Sequence, residues 1–178
     1  MTPLHFACRY GKIEMVKLLI KHTPTFDATS VTDVGKTIFH FAAENSDPQI
    51  LKLIIGTFKF EDIRDGLGHA ILYSAIDKGH DETIKYLIES RHKLGIIIED
   101  MKILHLACRI RNMEIVNLIH NTLEEINSNV DFDTQLEDQG TPIHLACTNA
   151  YSDVAIQLLE RFPDKINVLG QYLGQYEM

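Results

Sequence analysis

Apolar residues along this chain come in short helical stripes, and the stripes come in pairs. Ile13, Val16 and Ile20 recur at helical spacing, as do Met113, Val116 and Ile119. A weaker stripe precedes each of these. In the first, Leu4 and Ala7 sit three apart and share one helix face. Small residues follow at Ala7-Cys8, Ala42-Ala43, Ala107-Cys108 and Ala146-Cys147, which suit a helix lying close to its neighbours. Gly11 and Gly79 then break the pattern where a helix C-terminus is needed. The pattern predicts a short helix, a tight turn and a second, more hydrophobic helix.

The pair recurs. TPLHFA at Thr2–Ala7 returns as TIFHFA at Thr37–Ala42, AILYSA at Ala70–Ala75, KILHLA at Lys102–Ala107 and TPIHLA at Thr141–Ala146. The intervals are 35, 33, 32 and 39 residues, and a period of about 33 is the mark of stacked repeats. Thr2-Pro3 and Thr141-Pro142 read as helix starts, because Thr caps free N–H groups and Pro at the first helical position has none to lose. Asp33 with Gly35, Asp65 with Gly66 and Gly68, and Asp138 with Gly140 stand upstream of three copies and favour tight turns.

The stretches TPLHFACRYGKIEMVKLLI, VTDVGKTIFHFAA, DGLGHAILYSAIDKGHDETIKYLI, ILHLACRIRNMEIVNLI and EDQGTPIHLAC together resemble the ankyrin repeat. The resemblance covers five repeats and nearly the whole chain. It implies an all-α fold, a solenoid of stacked helix-turn-helix units joined by β-hairpin-like turns. The ankyrin domain is expected over 1–163, with repeats starting near 2, 37, 70, 102 and 141. The resemblance also implies a structural joint made by Thr2, His5, Thr37, His40, His105, Thr141 and His144, in which each imidazole bridges its own helix cap and the next repeat by hydrogen bonds. Three copies depart from the pattern: Tyr73 stands where His is expected, Lys102 replaces the capping Thr, and Gly140 abuts Thr141.

The longest interval leaves about six extra residues in the 121–140 region against the family period. Leu123 and Ile126 extend the second helix by a turn there, and the acidic remainder reads as a loop. Residues 164–178 read as the start of an incomplete sixth repeat or a disordered tail, with LGQY twice in tandem. Repeat stacks normally carry polar capping units. Neither end supplies an evident one, so a fragment of a longer protein is expected.

Charge narrows the choice of partner. The formal net charge is −8 and the pI about 5.5, without a long Lys/Arg run. This lacks the electrostatic footprint of nucleic-acid binding and favours a basic protein surface over an anionic lipid one. No apolar run approaches the roughly 20 residues needed to span a bilayer. Three cysteines and no secretory signal pattern point to a reducing intracellular compartment, with the cytoplasm expected.

Nine histidines and three cysteines raise the question of a reactive or metal site. His5, His40, His105 and His144 occupy one repeat position, and neighbouring helices lie about 8–10 Å apart, too far to share a zinc ion bound at about 2 Å. His105 and Cys108 are spaced as a base and a nucleophile, but the same pair recurs as His5/Cys8 and His144/Cys147, which favours a packing rule. No phosphate loop, H-E-x-x-H or C-x-x-C is present. The expectation is no enzyme, no metal and no cofactor.

Function is then left to surface, and stacked repeats build an extended concave face. The resemblance places turn tips and the exposed side of each first helix there. Carried onto this chain, those positions are Arg9 and Tyr10; Asp33, Val34, Lys36, Glu44 and Asn45; Gly66, Leu67, His69, Asp77 and Lys78; Met101, Arg109 and Ile110; and Glu137, Asp138, Thr148 and Asn149. The expected partner contacts are Arg9, Tyr10, Val34, Lys36, Leu67, His69, Met101, Arg109 and Ile110. The module is expected to be a monomeric scaffold or adaptor that binds another protein, with the cytosolic ankyrin domain of an ion channel or multidomain enzyme as the alternative.

Overall fold

The predicted helix pairs form, each beginning at or just after its repeated phrase. In the computed structural model, the described residues are 1–61, 63–67, 69–96, 102–108, 112–126, 140–148, 152–163 and 166. They hold α1 (Pro3–Tyr10), α2 (Ile13–His22), α3 (Ile38–Ala43), α4 (Pro48–Thr57), α5 (Ile71–Lys78), α6 (Asp81–Glu89) and a single-turn α7 (Arg91–Leu94). Then come α8 (Lys102–Ala107), α9 (Met113–Ile126), α10 (Pro142–Thr148) and α11 (Ser152–Arg161). The chain divides into two compact units, Met1–Ile97 and Ile98–Met178.

In the first unit each helix pairs with its successor, and equivalent helices stack. The first helices α1, α3 and α5 pack in order, and α2, α4 and α6 pack behind them. Burial comes from the neighbouring repeat more than from the local helix. Phe6 and Phe41 hold the same repeat position, yet Phe6 is 53% exposed and Phe41 only 2%. Met15 and Ile50 repeat the contrast, at 52% and 0%. Burying one such side chain contributes about 1.5–3 kcal/mol, so every neighbour added to the stack stabilises the last.

The Thr–His joint links cap to stack. His40 Nδ1 accepts from the Thr37 backbone N–H at 3.3 Å, with Thr37 Oγ1 3.0 Å away. A nitrogen that accepts carries no proton, so the proton sits on Nε2, which donates to the His69 carbonyl at 3.2 Å. This is the predicted bridge to the next repeat. His5 makes the same cap with Thr2, at 3.1 Å to the backbone nitrogen and 2.8 Å to Oγ1. The inter-repeat half is missing: His5 Nε2 is buried without a hydrogen-bond partner among the described residues. The edge contacts of its ring with Phe26 and Phe41, at centroid distances of 5.7 and 5.5 Å, surround it with apolar groups. In the third copy Ala70 and Tyr73 replace Thr and His, and Tyr73 stacks flat on His69 at 3.6 Å.

The connecting turns pack backbone on backbone. Gly66 N–H donates to the Val34 carbonyl at 2.9 Å. Gly35 has φ +74°, and a Cβ there would collide with the Gly66 backbone. Glycine is needed twice over, for its left-handed conformation and for the close approach. Gly56, near the end of α4, is the opposite case: an added Cβ meets nothing within 4 Å.

In the second unit α8 packs on α9, α10 on α11, and α10 on α8. The extra turn predicted from Leu123 and Ile126 is present, making α9 14 residues long. Leu123 is buried and Ile126 exposed, so half of the added turn joins the core. His105 is fully buried, and His144 Nδ1 lies 2.7 Å from Thr141 Oγ1 and accepts from its backbone N–H at 3.4 Å. The acidic loop at 127–139 and residues 164, 165 and 167–178, with the LGQY tandem, lie outside the described residues.

Two outcomes are expected in unfolding experiments. Gly35→Ala lowers stability by about 2 kcal/mol or more, whereas Gly56→Ala raises it by about 0.4–1 kcal/mol, read from urea midpoints. Equal effects would contradict the turn packing. Burial, with the positive chain terminus second, holds the His5 imidazole below its ordinary value of 6.5. As pH falls below about 6.5 the unfolded chain therefore takes up a proton that the folded chain refuses, and stability falls with pH in that window. His5→Gln should flatten that part of the pH–stability curve, and an unaltered slope would show that His5 does not titrate on unfolding.

Candidate functional site

The site is built around one buried carboxylate. Glu44 follows α3, and its side chain is nearly inaccessible. Arg9 Nε, from the end of α1, lies 2.8 Å from Glu44 Oε2. Lys36 Nζ, from the turn entering the second repeat, contacts Oε1. His80 Nε2, at the start of α6, donates to the Glu44 carbonyl at 3.0 Å. One residue thus ties three successive repeats. Next to it, Asn45 Nδ2 lies 3.0, 3.1 and 3.3 Å from the carbonyls of Cys8, Arg9 and Gly11. These are carbonyls that the end of α1 leaves unpaired, so Asn45 caps the helix of the previous repeat.

This corrects two expectations. Glu44 and Asn45, expected on the exposed variable surface, are both buried. Their positions in the repeat are as expected, but a carboxylate between two cations and an amide over a helix end are drawn inward. Spacing on one helix carries no signal of partners arriving from other repeats.

The predicted contact residues separate into two groups. Tyr10 is 68% exposed and Leu67 80%, and Val34 is exposed as well. Val34 and Leu67 belong to the neighbouring turns joined by the Gly66–Val34 bond. Arg9, Lys36 and His69 are already engaged. The Arg9 guanidinium lies 4.9 Å from the Tyr10 ring centre and 5.7 Å from that of Phe41. The His69 ring stacks on Tyr73, and the His69 backbone N–H donates to Asp65 Oδ1 at 2.9 Å. Burial opposes the charge on Asp65, yet backbone N–H groups of His69 and Leu67, with His69 and His40 nearby, hold its carboxyl below the usual range. Met101, Arg109 and Ile110 lie outside the described residues.

A cavity of about 630 Å³ opens beside Glu44, lined in part by Arg9, Tyr10, Lys12, Asp47 and His80. Its charges are mixed, so it selects for neither sign. Thiol chemistry is disfavoured: burial pushes Cys8 and Cys108 up to about 12, which leaves no useful thiolate. Cys147 is exposed, and all three are free. Among the described residues no group of three His, Cys, Asp or Glu side chains could hold a metal ion, and no helix is long and apolar enough to cross a membrane.

Comparisons with known proteins agree with this construction. The family pattern described as "Ankyrin repeats (3 copies)" matches residues 1–65, 26–98 and 72–169. The chain is 25% identical over 193 residues to the transient receptor potential cation channel subfamily A member 1 homolog of Caenorhabditis elegans, covering 89% of this chain and 15% of that protein. It is 25% identical over 174 residues to Rabankyrin-5 of Mus musculus, covering 96% of this chain and 14% of that one. The chain therefore spans a small part of these relatives. The human ASB11 ankyrin repeat domain superposes with a TM-score of 0.71 at 22% identity, over 90% of this chain and 69% of that structure; this likeness concerns the fold. With three family matches spanning most of its length, the chain belongs to the ankyrin repeat family.

Proposed function

We propose that this chain is a non-catalytic protein–protein interaction module, a scaffold or adaptor segment that holds a partner through Tyr10, Val34 and Leu67. Ankyrin repeat domains are typically protein-interaction modules and generally non-catalytic. The observation that carries the reading is Leu67, 80% exposed at a turn tip whose backbone is bonded to the neighbouring turn. Large apolar side chains held on rigid backbone lose little entropy on binding, and aromatic anchors are favoured at interface centres. Arg9 and Lys36 contribute less to a partner, because Glu44 already occupies them.

A second reading has support from the relatives. The match to a segment of a cation channel homolog suits an ankyrin segment within a larger channel or multidomain assembly. Its full-length transcript would encode a membrane-spanning or catalytic domain; a transcript with neither would dismiss it.

The two groups of residues give separable outcomes. Replacing Tyr10, Val34 and Leu67 together by Ala should weaken binding of a captured partner at least tenfold, with the unfolding free energy from urea titration changed by less than about 0.5 kcal/mol per site. Full binding by this folded variant would refute the assigned surface. Glu44→Ala should instead destabilise by about 1–3 kcal/mol. The lower part of that range is expected, because Arg9 and Lys36 are partly exposed and water can take them back.

A further inference from the structure

On another part of the first unit, a cavity of about 450 Å³ lies between the end of α4, the segment that follows it and the α6–α7 corner. Lys52, Lys59 and Lys93 line it together with Phe58, Phe60 and Tyr86. No carboxylate is among its lining residues in the described part of the chain, although the chain carries a net charge of −8. We propose that this cavity binds a small organic polyanion, with phosphate groups met by the lysines and an aromatic body laid against the Phe and Tyr walls.

The walls are fixed in advance. Phe60 sets its ring against buried Phe39 at 5.0 Å, nearly perpendicular, and Phe58 packs edgewise on Phe26 at 5.9 Å. Lys52 Nζ lies 5.0 Å from the Tyr86 ring centre, which holds one ammonium beside an aromatic wall. Lys59 is paired with Glu61 at 3.1 Å, but both groups are exposed, and such a pair is weak enough to yield to an incoming phosphate. The C-terminal end of α4 lies beside the cavity and opposes an anion with about half a unit of charge. Three ammonium groups exceed it. The volume falls in the range of roughly 300–1,000 Å³ typical of small-molecule sites.

Gly56 supplies an independent observation. It lies in the last turn of α4 and lines this cavity. Glycine weakens a helix relative to alanine, and here neither packing nor a left-handed backbone requires it. A side chain at this position would take up the space the ligand needs. The proposal accounts for a residue that the fold does not demand, and it is independent of the partner surface at Tyr10 and Leu67.

The test is calorimetric titration of the whole chain with three probes: ATP, inorganic pyrophosphate without the aromatic body, and adenosine without the charge. ATP should bind at least tenfold more tightly than either of the others, and more weakly as salt is raised. The Lys52→Gln/Lys93→Gln variant should lose at least tenfold in ATP affinity. Gly56→Leu should abolish binding while keeping the wild-type circular dichroism spectrum; Gly56→Ala, which favours the helix, should weaken it less. Absence of ATP binding, equal binding of ATP and pyrophosphate, or undiminished ATP binding by folded Gly56→Leu would each overturn the proposal.

Discussion

Helices of six residues, such as α3 and α8, lie far below the roughly 12–15 residues at which isolated helices become even marginal in water. They persist because another repeat covers them. Phe41 disappears between neighbours while Phe6, its equivalent, stays half bare. The hydrophobic effect acts here across a repeat boundary, and the rest of the architecture follows from letting that boundary close. Small residues at Ala42 and Ala43 admit the adjacent helices. Gly35 lets one turn lie against the next. The imidazole of His40 spans the joint because its two nitrogens can serve two different repeats.

Much of this was legible in the sequence. The phrase beginning at Thr37 announces the helix start, the joint and the small-residue face, and its recurrence announces the stack. Even the extra turn of α9 could be read from Leu123 and Ile126. What was not legible depends on groups brought together from different repeats. Glu44 looks like a solvated carboxylate in its own stretch, because Arg9 is 35 residues upstream and only the fold brings its guanidinium to 2.8 Å. Asn45 looks like a turn residue, and its role is to close the end of α1. His5 illustrates the converse: it has the repeated letter and the local cap, but its second nitrogen finds no acceptor among the described residues.

The basic, aromatic cavity was hidden for the same reason. Lys52 and Gly56 come from α4, Phe58 and Phe60 from the chain after it, and Tyr86 and Lys93 from the next helices. The sequence has no long Lys/Arg run, and the average charge points the other way. Net charge describes the field far from the molecule. It does not describe a cavity a few ångströms across, where which side chains converge decides the sign.

The arrangement around Glu44 also constrains how a partner can bind. A partner carboxylate that drew Arg9 away would leave Glu44 buried with one cation fewer. Lys36 would still hold Oε1, but Oε2 would be left buried without its cation, and the partner's exposed ion pair returns only about 0–1 kcal/mol. Binding through the cations would therefore work against the joint that holds three repeats together. Binding through Tyr10, Val34 and Leu67 carries no such penalty, since their side chains extend from the packed structure and their backbones are already fixed. The charges near the proposed surface stabilise the stack, and the burden of the proposed contact falls on its exposed apolar groups.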